Sequence, residues 1–307
     1  MRRKWLGGLV GVAVVGGAAL AAVPGPAPEL RLTTAAASHP AAATAWRTVW
    51  QEDFTGPAGT LPSASDWKFD LGRGYPDGPS GWGNHELEQY TADPSNVSLD
   101  GAGDLRITPT LVDGVWHSGR IETQRSDFAP PPGGSLKIEA RIQLPGGGKG
   151  YWPAFWALGN TFRTHEQVWP HTGELDLMEN VNNSPVVHGT LHCGQAPGGA
   201  CDEPHGMSAE ADLGQPAGSA GWHTYTLIWN AAPQQLIWQV DGRTYASATS
   251  DQVSAQALRG ALSHGYFLLF NVAVGGTWPG SPDATTKPGA SMLVDWVRVS
   301  QTSRTSD

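Results

Sequence analysis

The sequence predicts an all-β protein, an antiparallel sandwich or jelly roll, and three observations point there. The first is turn content: 40 Gly and 24 Pro stand in 307 residues, where ordinary chains carry about 7% and 5% of these residues. The second is that most apolar runs are short, rich in β-branched and aromatic residues, and bounded by Gly or Pro. The third is the near absence of helical spacing, which is hinted at only from Ser254 to Leu262. Many short strands joined by such turns close most readily as two packed antiparallel sheets.

Each predicted strand has its own signal. Leu136 to Leu144 alternates apolar and polar without a break, the pattern of a half-buried strand. Trp222 to Trp229 and Gln235 to Val240 are dense in β-formers. The second of these runs into Asp241-Gly242, a strong hairpin turn, followed by Arg243-Thr244-Tyr245. Tyr266 to Val274 is apolar at every position but Asn271, so both faces should be buried. Met292 to Val299 supplies a last strand.

The ends read differently. Met1-Arg2-Arg3-Lys4 is cationic, and a Gly/Ala-rich apolar run follows to about Val23. That is the pattern of a secretory signal over residues 1–22, with Ala19-Leu20-Ala21 as cleavage site and Ala35-Ala36-Ala37 as a second. An uncleaved anchor is the alternative. Cleavage is favoured because no second span follows. Residues 23–45 are Pro, Ala and Thr with few large apolar groups, a disordered linker. One catalytic-sized domain then runs over 46–301, with a short tail at 302–307. A secreted, extracellular monomer is expected, with no membrane attachment after cleavage.

The net charge is −9 and no Lys/Arg run occurs, which argues against nucleic acid as a partner. There are 14 Trp, more than a core needs, and exposed aromatic platforms commonly receive the flat faces of sugar rings. Cys193 and Cys201, the only cysteines, read as a small disulfide clip in an exported chain. A metal reading of that pair would need two more ligands, with His192 and His205 nearby.

The segment that carries chemistry is Gly173-Glu174-Leu175-Asp176-Leu177-Met178-Glu179-Asn180. On a regular strand Glu174 and Asp176 share a face, but Glu179 turns into the core, where an unpaired carboxylate is costly. A β-bulge near Met178 restores the parity and puts all three acids on one face. Crowded carboxylates repel, so their pKa values separate: one stays ionised while another holds a proton. Glycoside hydrolysis needs that division of labour. A calcium site or a solvated strand face is the bland alternative, although calcium prefers a flexible loop of oxygen ligands to acids set between leucines.

Glu174, Asp176 and Glu179 match the acidic pattern Glu-x-Asp-x-x-Glu. With it come Gly81-Trp82-Gly83-Asn84-His85-Glu86-Leu87, Ser118-Gly119-Arg120-Ile121 and Trp152-Pro153-Ala154-Phe155-Trp156. Gly189-Thr190-Leu191-His192, the stretch Asn271 to Gly280 and Val294-Asp295-Trp296-Val297 complete the series. On these residues the chain resembles glycoside hydrolase family 16, its laminarinase-like branch. The resemblance implies a jelly roll with a concave cleft and a retaining endo-hydrolysis of β-1,3-glucan. Glu174 would be the nucleophile, Asp176 its assistant and Glu179 the acid/base. Asn84, Glu86, Arg120, Trp156, Trp169 and His192 would line sugar subsites. No cofactor is implied for catalysis, and Asp295 matches a structural calcium position. Each match has a plainer reading: Trp152 and Trp156 as core, Arg120 as a structural ion pair, His192 as an orienting group. Rival functions are the same mechanism on mixed-linkage glucan or a galactan, and a non-catalytic glucan-binding module, which would not need all three acids.

Overall fold

A computed structural model describes residues 45–76 and 78–302. The expected signal peptide, nearly all of the linker and residues 303–307 lie outside the described residues. Two large sheets form the body. One runs in the order Arg243–Thr249, Gln234–Val240, Trp222–Ala231, Ser135–Gln143, Met292–Thr302, Leu105–Ile107, Val97–Leu99, with Arg47–Glu52 also paired to Met292–Thr302. The other runs Met207–Asp212, Val186–His192, Glu174–Glu179, Tyr151–Gly159, Tyr266–Val274, Arg120–Thr123, Trp67–Phe69. Every pairing within these two sheets is antiparallel. This is the antiparallel jelly-roll sandwich that the turn content and period-two runs call for.

The alternation in Ser135–Gln143 becomes packing. Leu136, Ile138, Ala140 and Ile142 are buried between the sheets, while the residues between them keep partial exposure. The hairpin turn at Asp241-Gly242 has both residues at positive φ, 50° and 74°, the conformation that the Asp-Gly pair accommodates well. The short helix is Ala255–Ala261, and the hydroxyl of Ser254 accepts a hydrogen bond from the Ala257 N–H at its start.

Tyr266–Val274 is buried along its whole length, as its apolar run requires. Leu268, Phe270, Val272 and Val274 join the inter-sheet core. Phe267 and Leu269 point the other way and, with Leu158, form a second apolar layer under Trp156, Phe162 and Trp169. The strand is therefore core on one face and cleft floor on the other. Several elements had no clear sequence signal, among them the 3-10 turn Ser80–Gly83 and the strands Val186–His192 and Met207–Asp212. Among the described residues, no helix is long and apolar enough to cross a membrane.

Candidate active site

The acid strand Glu174–Glu179 sits between Tyr151–Gly159 and Val186–His192. Glu174 pairs with His192 and Asp176 with Thr190, and the register then slips before Glu179 meets His188. The same slip appears on the other side, where Asp176 faces Trp156 but Met178 faces Phe155. Leu177 and Met178 both enter the core, so Glu179 returns to the cleft face. The energetics favour this bulge. A regular strand would drive the Glu179 carboxylate into the core at several kcal/mol and expose Met178, losing about 1.5–3 kcal/mol of burial.

Glu174, Asp176 and Glu203 converge on His192. Its Nε2 lies 3.4 Å from Asp176 Oδ2 and 4.0 Å from Glu174 Oε1, while Nδ1 is 2.8 Å from Glu203 Oε2. Burial pushes Glu174 up to about 8, Asp176 adds to the rise, and His192 opposes it. Glu179 is held well above the ordinary carboxylate range by burial and then by Asp176. Its Oε1 accepts a hydrogen bond from Trp152 Nε1 at 2.9 Å, which fixes one oxygen and leaves the other for a proton. Burial also raises Asp176, against the pull of His192. Burial alone would strip the proton from His192, but its contacts with Asp176 and Glu203 win and hold it well above its usual value.

The other expected residues line the same face. Trp156 donates from Nε1 to Asn271 Oδ1 at 2.8 Å, and Asn271 Nδ2 donates to Tyr90 Oη at 3.0 Å. Trp152 and Trp156 both lie on the cleft face rather than in the inter-sheet core, which takes Tyr151, Phe155 and Ala157 from that strand. Trp169 packs tilted against His192, with ring centroids 5.5 Å apart. Asn84 is exposed and donates to Glu86 Oε1 at 3.1 Å, while buried Glu86 takes Tyr90 Oη on its other oxygen. Their loop is docked by Leu87 N donating to Val274 O. Arg120 is buried, bonded to Asp70 Oδ2 at 2.9 Å, and its guanidinium lies 4.3 Å and 4.9 Å from the ring centres of Trp82 and Trp156. This ion pair is the plainer of the two expected roles of Arg120, and it sets the guanidinium against the aromatic rings of the cleft.

Cys193 and Cys201 are bonded, closing the loop that leaves His192. That loop delivers Glu203, which the sequence reading did not single out. Its neighbours in sequence carry no catalytic pattern, and only the fold brings it against His192.

Comparison with known proteins is consistent with this geometry. The XgeA-like catalytic GH16 domain matches residues 117–215. The endo-1,3-beta-glucanase of Streptomyces sioyaensis superposes with a TM-score of 0.81 at 45% identity, over 87% of this chain and all of that one. The Beta-glucanase of Rhodothermus marinus is 30% identical over 263 residues, 83% of this chain and 85% of that protein. The chain belongs to glycoside hydrolase family 16. A further relative, the clotting factor G alpha subunit of Tachypleus tridentatus, is 32% identical over 266 residues, 85% of this chain; the chain spans only 35% of its length.

Two metal readings can be tested against the family 16 site. Glu174, Asp176 and His192 bring ligand atoms within 4.8 Å of one another. In this arrangement Asp176 and Glu203 favour a proton on His192, which competes with a metal for its ring nitrogens. At Asp295, the expected calcium position, Oδ2 accepts a hydrogen bond from Arg141 Nη1 at 2.5 Å, and both side chains keep partial exposure.

Proposed function

We propose that this chain is a retaining endo-β-1,3-glucanase, with laminarin-type glucan as its partner polymer and no metal in the chemistry. The observation that carries the proposal is the acid strand: three carboxylates on one cleft face, brought there by the bulge at Leu177 and Met178, with burial raising all three. Both glutamates are raised by burial and lose their protons in separate steps, and the productive form is the one with Glu174 ionised beside protonated Glu179. In that state Glu179 passes its proton to the glycosidic oxygen while a Glu174 oxygen attacks the anomeric carbon, displacing the leaving sugar. A glycosyl ester on Glu174 results. Glu179, now a carboxylate, takes a proton from water, which attacks the same carbon and frees Glu174. Trp156 and Trp169 offer ring faces to the sugars, and Asn84 and Glu86 offer polar atoms at the rim.

Secretion supports access to such a polymer, and the cationic-then-apolar start at Met1 to Val23 is the feature behind it. Action as a monomer belongs to the same proposal. The test is reducing-sugar release from laminarin, lichenan, cellulose, agarose and carrageenan. Laminarin should be cut fastest, mixed-linkage lichenan more slowly and cellulose hardly at all. Faster release from agarose or carrageenan would make the chain a galactanase on the same scaffold.

A further inference from the structure

Glu203 is a buried carboxylate beside the site that the mechanism above does not use. Its side chain is completely shielded. Oε1 accepts the Cys193 N–H at 2.7 Å, and Oε2 meets His192 Nδ1 at 2.8 Å. The loop is shaped to deliver it. The disulfide closes the loop at its base, and Gly198 and Glu203 exchange two backbone hydrogen bonds of 2.6 Å each. Beyond Glu203 the chain folds back over the imidazole. A Cβ at Gly206 would fall 2.7 Å from His192 Cε1 and 2.9 Å from Nδ1, and φ there is +71°. Only glycine fits so near the ring.

On the opposite nitrogen stand Asp176 and Glu174. Asp176 Oδ2 is buried and has no hydrogen-bond partner among the described residues, although His192 Nε2 is 3.4 Å away. A carboxylate left so exposed to its neighbours needs a nearby cation.

We propose that Glu203 is a positioning residue for the reaction: it holds the His192 imidazole in place through Nδ1, and His192 in turn anchors Asp176 and favours the carboxylate form of Glu174 for attack. The proposal rests on Glu174 as the nucleophile. A plainer role exists, since Glu203 also satisfies the Cys193 N–H, and the two roles part company in their pH behaviour. The groups facing His192 are Glu174 and Asp176 from the acid strand and Glu203 from the loop. Glu179 lies further along that strand and Arg120 acts on Glu174 from the floor. Removing the Glu203 charge has two opposed effects on Glu174. Directly, it removes a nearby negative charge and makes Glu174 easier to ionise. Indirectly, it lets His192 lose its proton, and Glu174 then loses its cation. The influence of His192 on Glu174 outranks that of Glu203, so the indirect effect wins.

Glu203→Gln keeps the shape and removes the charge. The acid limb of kcat/KM on laminarin should move to higher pH by about one unit, an activity loss of about tenfold on that limb. Glu203→Asp should restore part of the wild-type profile. An acid limb that stays in place or moves to lower pH in a folded Glu203→Gln protein overturns the proposal. Nitrogen chemical shifts of His192 in the wild-type protein decide the matter even if the variant does not fold. Both ring nitrogens should carry protons across about pH 5 to 8, where an ordinary histidine titrates. A neutral single tautomer in that range overturns the proposal without touching the assignment of the nucleophile. That assignment fails separately, through the anomer formed in azide rescue of the two glutamate variants.

Discussion

The two ends of the cleft hold comparable numbers of charges and balance them in opposite ways. At one end Asp70 and Glu122 face Arg120, Lys68 and Arg163 at 2.6–3.0 Å, and Tyr75 donates to both acids. At the other, Glu174, Asp176 and Glu203 crowd around His192, and Glu179 stands further along the same strand. Matched charges freeze protonation states and stiffen the floor. Unmatched acids hold protons that can be moved. Burial alone therefore says little about role; the count of opposing charges separates scaffold from chemistry.

Breaking the unmatched end should cost activity rather than stability. Glu174→Ala should lower laminarin hydrolysis by several orders of magnitude, and Glu179→Ala by about 10²–10⁴-fold, the range for a lost general acid. With an activated aryl glycoside, azide should rescue Glu179→Ala to the β-glycosyl azide through two inversions. It should rescue Glu174→Ala to the α product through one. Exchanged anomers, read by proton NMR, would swap the two roles.

Breaking the matched end should do the reverse. Arg120→Met leaves the Asp70 carboxylate buried without its partner, a loss of about 3–5 kcal/mol in unfolding free energy. Adding Asp70→Asn should recover part of that loss. Denaturant titration of both variants measures the difference. Equal stability of Arg120→Met and wild type would show that this end is not held by its charges.

The smallest effect sharpens the contrast. Glu174 and Glu179 have folded-state pKa values above their unfolded ones, so they favour the fold at low pH. That contribution is lost as pH rises from the ordinary carboxylate range through the raised values. Glu179→Gln should therefore melt higher than wild type at neutral and alkaline pH, by about 2–4 °C for each kcal/mol relieved. The gap should close toward pH 4. A variant that melts lower than wild type at pH 8 would mean that the acid strand is not under repulsion.

Much of this was legible in the sequence, and the reasons differ by residue. The run from Leu136 to Leu144 forecast a strand because its alternation is local. The bulge was legible because Glu179 had to avoid the core, and the structure places the slip at Leu177 and Met178. Glu203 was not legible, since its partner is 11 residues away and reached only through a closed loop. The pairing of Asp295 with Arg141 was not legible either, since the two stand 154 residues apart in sequence. Strands such as Val97–Leu99 are three residues long, too short for any periodicity to register.

Tyr266–Val274 is a party wall between two rooms. Phe270 stacks on Phe155 in the core, 4.5 Å between ring centroids, and its next neighbour, Asn271, holds the indole of Trp156 in the cleft. A methylene added or lost on one side of that wall cannot be absorbed there, because close-packed interiors transmit small displacements. Variation in what the cleft accepts must then be written in the rim, in loops such as the one bearing Asn84. The floor itself has no slack to trade.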